Sequence, residues 1–253
     1  MSAEPQPAER SGHDGRRRAI LAIDTATSRA LVASGSPDGV IDGLTTWLVG
    51  YRHGETLLPT IGRFLGEQNL RRSRLVGIVV GTGPGAFTGL RVGLATAKGL
   101  AHGLGIPLVG VATAAALLHA AGPGAVLLQP AGPRDRVLSR AGEPPRLLPA
   151  VGDLVPEGAD AAAAQPELAR DERLVAVDLD GRAPDDALAR GTQAWEGLGA
   201  ALIELGAARL RQLAAAAPDD RRGELETVVP EYVTLPRGVT ASGGEVEWSR
   251  DPR

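Results

Sequence analysis

One glycine-rich segment constrains the fold of this chain more than any other. Residues 81–101 read Gly-Thr-Gly-Pro-Gly-Ala-Phe-Thr-Gly-Leu-Arg-Val-Gly-Leu-Ala-Thr-Ala-Lys-Gly-Leu-Ala, and they follow the apolar run 75–80, which is typical of a buried strand. The segment therefore predicts a strand, a glycine turn and then a helix over about 88–104. Positions four apart share one face of a helix, and here that face carries only small residues: Gly89, Gly93, Ala97, Ala101 and Gly105.

This row of residues, called the small-residue stripe below, requires a close neighbour. Glycine inside a helix costs about 1 kcal/mol relative to alanine. Close packing of another backbone against the stripe would offset that cost. The neighbour can lie in this chain or in a partner protein, and the spacing leaves both alternatives open.

The rest of the first half predicts a mixed sheet with helices on its faces. Apolar runs bounded by turn residues indicate strands, and apolar residues at helical spacing indicate amphipathic helices. The expected elements, besides those above, are strands at 18–24, 30–34 and 40–48, a helix at 55–68, a strand at 106–111 and a helix at 113–121. We assign these elements to a first lobe at 19–120.

The second half is less regular and predicts a second lobe at 121–237. Its expected elements are strands near 126–129, 135–139 and 173–177, mostly loop between 140 and 172, a long helix at 192–216 and an extended segment at 227–234. Residues 1–18 are polar and lack the apolar core of a secretory signal, so we expect a disordered tail. Residues 238–253 are expected to form a loose tail.

The composition excludes several classes of protein. Of the 253 residues, 43% are hydrophobic and 23% are charged, and the net charge of −3 gives no sign of a nucleic-acid-binding surface. The absence of cysteine excludes disulfides and thiolate metal sites and fits a reducing, cytoplasmic location. No apolar run reaches the roughly 18 residues of a membrane span, so no membrane association is expected.

The turn at the end of the first strand is the first candidate site. Asp24 is followed by three hydroxyl-bearing residues, Thr25, Thr27 and Ser28. Such a turn can bind phosphate or a metal-bound water, or it can be a hydrogen-bonded turn whose side chains satisfy nearby backbone groups. The spacing by itself favours the hydrogen-bonded turn.

The glycine turn is the second candidate site. Gly83 and Gly85 precede a helix N-terminus, where free N–H groups and the helix dipole attract anions. The segment is neither a Walker A loop nor a dinucleotide fingerprint, and a tight strand-to-helix connection explains it at least as well. Arg91, one turn into the helix, can pair with a phosphate or with a partner's carboxylate.

No metal site or catalytic triad is expected. His53 has no second ligand at the spacing of about three to five residues that zinc sites use, and His102 and His119 lie on other predicted elements. No Ser-His-Asp or thiol arrangement can be recognised from spacing.

Four segments, in this order along the chain, resemble the TsaB (YeaZ) family. They are 20–27, 53–59, 81–93 with its continuation to Ala101, and 107–113, and the Pro-Glu-Tyr-Val sequence at 230–233 resembles the family's carboxy-terminal Pro-x-Tyr signature. These motifs mark out about half of the chain, nearly all of it in the first lobe. The resemblance implies an α/β fold of the actin-like, Hsp70-like ATPase type (ASKHA), in which two related lobes have mixed sheets flanked by helices.

The resemblance also implies a function. TsaB proteins are non-catalytic subunits of the bacterial complex that synthesises N6-threonylcarbamoyladenosine at position 37 of tRNA. Such a subunit would pair with the catalytic subunit TsaD, work with the ATPase TsaE, reach tRNA only through the complex and need no cofactor of its own. First-lobe helices would form the contact with TsaD, or with a second copy of this chain. The implied interface residues are His53, Leu57, Leu58, Ile61, Gly89, Arg91, Gly93, Ala97 and Ala101.

This assignment makes the small-residue stripe a docking surface. Gly93→Leu is therefore expected to disrupt the contact with TsaD while leaving the chain folded. The actin-like fold also implies a vestigial phosphate site, for which the matching residues are Asp24, Thr25, Thr27, Gly83 and Gly85.

The second lobe departs from the family pattern. Residues 129–139 lack the Asp and the Tyr of a strand pair that members commonly have, and 178–181 place carboxylates where members tend to have a glycine-rich turn. Both changes predict a degenerate second lobe and argue against nucleotide binding by this chain. The alternative function is an independent ATP-dependent transferase or a glycoprotease-type metallopeptidase, which would need a complete phosphate site or clustered metal ligands.

Overall fold

Two mixed sheets form the framework of the molecule. The computed structural model describes residues 17–48, 53–131, 135–148, 168–215, 227–233, 239–242 and 245–248. The first half contains β1 (Ala19–Asp24), β2 (Arg29–Gly35), β3 (Ile41–Leu48), α1 (His53–Glu67), a 3₁₀ turn (Arg72–Arg74), β4 (Leu75–Gly81), α2 (Phe87–Leu104), β5 (Leu108–Val111) and α3 (Thr113–Ala121). The second half contains β6 (Ala125–Pro130), β7 (Arg136–Ser139), β8 (Arg146–Leu148), β9 (Arg173–Ala176), α4 (Asp185–Ala215), β10 (Val239–Ser242) and β11 (Glu245–Trp248).

The first sheet has five strands in the order β3-β2-β1-β4-β5 and is covered on both faces. The β1–β2 and β2–β3 pairs are antiparallel, and the β1–β4 and β4–β5 pairs are parallel. Alternate residues of a strand point to opposite faces, so Leu21 and Ile23 pack with α1 and α2, whereas Ile20 and Ala22 pack with α3 and α4. Burial of both faces explains why β1 is a continuous apolar run.

The second sheet repeats this topology with one strand fewer. Its order is β8-β7-β6-β9, with β6–β7 and β7–β8 antiparallel and β6–β9 parallel. The same order and directions relate β3, β2, β1 and β4 in the first sheet. The two lobes are therefore related in topology, as the resemblance implied.

One hydrophobic core and one main-chain segment connect the two sheets. Ile20 and Val79 of the first sheet share a buried cluster with Leu127 and Val175 of the second, and α3 and α4 complete that cluster. The segment 227–233, which the sequence placed with the second lobe, instead bonds to the first, where the Glu231 N–H donates to the Thr82 carbonyl oxygen at 2.7 Å. The predicted lobe boundary after residue 120 thus lies between the two sheets, but one hydrophobic core extends across it.

Three features of the second half differ from the prediction. The long helix starts at Asp185 rather than at 192, because Pro184 precedes it and two carboxylates, Asp185 and Asp186, suit a helix N-terminus. The short strand β8 lies in the stretch predicted as loop, of which 149–167 lies outside the described residues. Part of the C-terminal region predicted to be loose forms an antiparallel hairpin of β10 and β11.

Candidate functional site

Asp24, at the end of β1, is a buried carboxylate held by hydrogen bonds from this chain. Its side chain is 1% exposed. One oxygen accepts a bond from the Ala26 N–H at 2.9 Å, and the other accepts a bond from the Thr113 hydroxyl, at the start of α3, at 2.6 Å. Burial raises the pKa of Asp24 to about 6, and the two hydrogen bonds oppose this rise only in part. Asp24 therefore links β1 to α3.

All members of the small-residue stripe except Gly105 are packed inside the molecule, so the predicted role of these four residues as a docking surface is wrong. Gly89, Gly93, Ala97 and Ala101 are all buried. The Thr25 hydroxyl donates to the Gly89 carbonyl oxygen at 2.7 Å, and a Cβ at Gly93 would lie 2.3 Å from the Thr25 Oγ1. The close neighbour that the stripe requires is thus this chain's own first sheet and the turn that follows β1.

The other predicted interface residues are divided between the interior and the surface. Leu57 and Ile61 of α1 are buried in the core, so they too are not docking residues. Leu58 is 55% exposed and Arg91 is exposed, while the His53 side chain lies outside the described residues. Gly105, the last member of the stripe, ends α2 with a φ of 63°, a conformation that favours glycine.

The glycine turn before α2 is bonded to the turn after β1. The Gly83 N–H donates to the Thr113 hydroxyl at 3.1 Å, and the Ala86 N–H donates to the Ala26 carbonyl oxygen at 2.7 Å. A Cβ at Gly85 would lie 2.1 Å from that same oxygen, so only glycine permits the approach. These N–H groups are used within the chain, which favours the tight connection over the anion cradle.

The second lobe also bonds to the turn after β1. The Ser28 N–H and hydroxyl both donate to the Asp178 carboxylate, at 2.6 and 2.5 Å. The Trp195 indole N–H, from α4, donates to the Thr27 hydroxyl at 3.0 Å. The structure thus brings together all members of the predicted phosphate site: Asp24, Thr25, Thr27, Gly83 and Gly85. The polar groups in and around this set, however, form hydrogen bonds with one another and with the second lobe.

A cavity of about 400 Å³ lies between the two sheets beside these turns. Two carboxylates, Asp178 and Glu231, line it, and none of its described lining residues is Lys, Arg or His. Gln129 also lines it, and the Oε1 of this residue is buried without a hydrogen-bond partner among the described residues. At the end of β6, the topological equivalent of β1, stands Pro130 rather than a carboxylate. The cavity therefore offers a phosphate group no opposite charge.

The Pro-x-Tyr segment closes one side of this cavity. The Tyr232 hydroxyl oxygen accepts a bond from the Arg91 Nε at 3.0 Å, and the Tyr232 and Phe87 rings are 5.1 Å apart. The Arg91 guanidinium lies 3.8 Å from the centre of the Phe87 ring. Arg91 thus connects the C-terminal segment to the start of α2, and its pairing with a phosphate or a partner stays a prediction.

A second set of small residues lies on the outward sides of α1 and α2. This set consists of Gly62, Gly66, Gly99 and Gly103. A Cβ atom added to any of these glycines would have no atom of a neighbouring group within 4 Å. We call these four residues the outer glycine face. A groove of about 340 Å³ between the helices is lined by Gly62, Gly99 and Gly103, and Leu58 stands beside them. The sequence shows the spacing of four residues between Gly62 and Gly66 and between Gly99 and Gly103, but this spacing does not show which side of each helix faces outward.

The described residues contain neither a metal site nor a membrane-spanning helix. No cluster of three or more His, Asp or Glu side chains among them could hold a metal ion. His119 lies 3.0 Å from the Glu204 carboxylate instead. In the part of the chain that the structure describes, no helix combines the length and the apolar character needed to cross a bilayer.

The sequence is similar to curated proteins over a limited stretch. A Mycobacterium tuberculosis protein described as uncharacterized is 42% identical over 95 residues, which cover 36% of this chain and 44% of that protein. The tRNA threonylcarbamoyladenosine biosynthesis protein TsaB of Escherichia coli is 37% identical over 94 residues, which cover 37% of this chain and 40% of that protein. The chain thus spans less than half the length of these two relatives.

A solved structure and a family model match longer parts of the chain than the curated relatives do. The structure of YeaZ from Pseudomonas aeruginosa superimposes with a TM-score of 0.58 at 23% identity, over 85% of this chain and 100% of that chain. The family model of TsaD, described as tRNA N6-adenosine threonylcarbamoyltransferase, matches residues 43–164. The fold is therefore the α/β fold of YeaZ, with mixed sheets flanked by helices. Together with the four motifs, these comparisons show that the chain is similar to TsaB and YeaZ proteins over part of its sequence and in its fold.

Proposed function

We propose that this chain is a non-catalytic subunit of the machinery that makes N6-threonylcarbamoyladenosine in tRNA. The E. coli relative is named for the biosynthesis of that nucleoside. Within the described residues, Asp24 is the one buried carboxylate next to the candidate turn, and it is engaged with Ala26 and Thr113. A subunit of this kind would leave the transfer reaction to a TsaD-type partner and reach tRNA only through the complex.

The outer glycine face is the observation that carries this proposal. Glycines on two neighbouring helices leave a shallow apolar groove, and the absence of side chains lets a foreign helix come close to both backbones. Leu58, 55% exposed beside the groove, supplies an apolar contact. We assign this face to the TsaD-type subunit. The ATPase TsaE would then join the assembled pair, and a second copy of this chain is the competing occupant.

Gly99→Leu is the direct test of the docking face. Since a Cβ at Gly99 has open space, leucine there keeps the chain folded and puts four carbon atoms into the groove. We expect co-purification with the TsaD-type subunit to fall at least about tenfold, a loss of about 1.4 kcal/mol of binding free energy. Ala200→Leu, an exposed small-to-large change on α4, is the matched control and should co-purify like the wild type.

Two outcomes would count against the proposal. Undiminished co-purification of folded Gly99→Leu would remove the docking face. Turnover of ATP with magnesium by the purified chain alone would favour an independent enzyme. Gel filtration of the chain by itself identifies the competing occupant, because a dimer that Gly99→Leu makes monomeric would use the same face for self-association.

A further inference from the structure

We infer that Asp178 is an internal anionic ligand. In this inference its carboxylate binds the turn after β1, ties the second sheet to the first, and keeps phosphate-type anions out of that turn. The inference does not depend on the proposed function, because it concerns the cavity between the sheets and not the outer glycine face.

The contact has the geometry of a recognised anion. Both Asp178 oxygens are used, one by the Ser28 N–H at 2.6 Å and the other by the Ser28 hydroxyl at 2.5 Å. Hydrogen bonds to an ionised carboxylate are short and about twice as strong as neutral ones. The backbone N–H and the hydroxyl of Ser28 are both donors that a phosphate oxygen could accept in place of the carboxylate.

Other donors around the turn already have partners in this chain. The Ala26 N–H bonds to Asp24, the Gly83 N–H bonds to Thr113, and the Ala86 N–H bonds to the Ala26 carbonyl oxygen. An anion that bound at Ser28 would have to displace Asp178 from both of the Ser28 donors. It would also meet the charge of Glu231, which lines the same cavity.

Asp178 is held in place from the second lobe. It has a φ of 57°, a conformation that non-glycine residues seldom adopt but aspartate tolerates. The next residue, Leu179, is fully buried in the cluster behind the second sheet, and the Arg182 N–H donates to its carbonyl oxygen at 2.8 Å. On the other side, Thr27 is fixed by the bond from Trp195. The carboxylate is thus clamped between two anchored segments.

The test uses the full chain with inorganic phosphate as the probe. In Asp178→Ala the Ser28 donors are released, so phosphate should shift the Ser28 amide signal in ¹H–¹⁵N spectra in a saturable way. In the wild type phosphate should not do so. Hydrogen exchange at the Ser28 amide should accelerate about tenfold or more in this variant, since a hydrogen bond to a charged group is lost. Asp178→Asn, which keeps the shape but loses the charge, should give an intermediate exchange rate.

Asp180→Ala is the matched control, because Asp180 is an exposed carboxylate of the same turn. It should behave like the wild type in both measurements. A wild type that binds phosphate as well as Asp178→Ala does would overturn the exclusion of anions. Unchanged exchange at Ser28 in folded Asp178→Ala would overturn the tether. If Asp178→Ala fails to fold, Asp178→Asn decides the question by the same two readouts.

Discussion

β1 of the first sheet and β6 of the second occupy the same place in the same strand order, yet they end differently. β1 ends in Asp24, which is buried and bonded to two other segments, whereas β6 ends in Pro130. The edge strands differ in length, since β3 has eight residues and β8 has three, and the residues of both are at least partly exposed. The first sheet has a polar turn closed by hydrogen bonds at the end of β1. The second sheet shares its strand order and part of its core.

The contrast lies in how the end of β1 is bonded. Thr113 of α3 bonds to Asp24, Trp195 of α4 bonds to Thr27, and Ser28 bonds to Asp178. The turn after β1 is thus part of the joint between the sheets. The outer glycine face lies on α1 and α2 beside the first sheet, which is where the proposed partner contact lies.

Gly93→Leu should have the largest effect on the unfolding free energy, and it tests how closely α2 packs against the turn after β1. We expect it to cost about 4 kcal/mol or more of unfolding free energy, above the usual range for overpacking, because a Cβ alone would lie 2.3 Å from the Thr25 Oγ1. Gly99→Leu, at an exposed position of α2 where a Cβ has open space, should be neutral or stabilising by up to about 1 kcal/mol. Urea denaturation measures both, and equal stabilities would refute the assignment of the two faces.

A matched pair of core truncations compares the two sheets directly. Leu21 in β1 and Leu128 in β6 are both essentially fully buried, but Leu21 packs in a larger cluster between the sheet and two helices. We expect Leu21→Ala to cost about 3–4 kcal/mol and Leu128→Ala about 2 kcal/mol, since the smaller cluster can collapse around the deletion. Chemical denaturation gives the two values. A larger loss for Leu128→Ala would mean that the second sheet is the more tightly packed one.

Asp24, the carboxylate at the end of β1, should make the unfolding free energy depend on pH. Burial raises the pKa of Asp24 from 3.8 to about 6, so the folded chain favours the protonated form. Asp24 makes its full contribution to the unfolding free energy below the pKa that it has in the unfolded chain. This contribution is lost as the pH rises through about 6, and the loss is at most about 3 kcal/mol. Relative to Asp24→Asn, the wild type should therefore lose stability between about pH 4 and pH 7.

Unfolding free energies of both proteins across that pH range provide the measurement. Gly99→Leu is a suitable control because it changes no titratable group, and its pH profile should parallel that of the wild type. Parallel pH profiles for Asp24→Asn and the wild type would contradict the raised pKa of Asp24. The ends of β1 and β6 would then not differ in their effect on the pH dependence of stability.

Local sequence patterns predicted the elements of the first half to within two residues, because those elements have strong periodicity and clear turn residues. The joint between the sheets could not be predicted in this way. Thr113 bonds to Asp24 across 89 residues, and Ser28 bonds to Asp178 across 150. No periodicity within a window of a helix or strand carries such a relation, so the sequence pattern predicts neither bond.

The sequence by itself determined that the helix Phe87–Leu104 would have faces without side-chain bulk and that the turns before it would be tight. Only the tertiary structure decided which face turns inward. Gly89 and Gly93 lie against the turn after β1, while Gly99 and Gly103 face open space. The physical reason is that a small residue permits a close approach from either side of a helix, and burial depends on where the first sheet lies, which spacing along the chain does not encode.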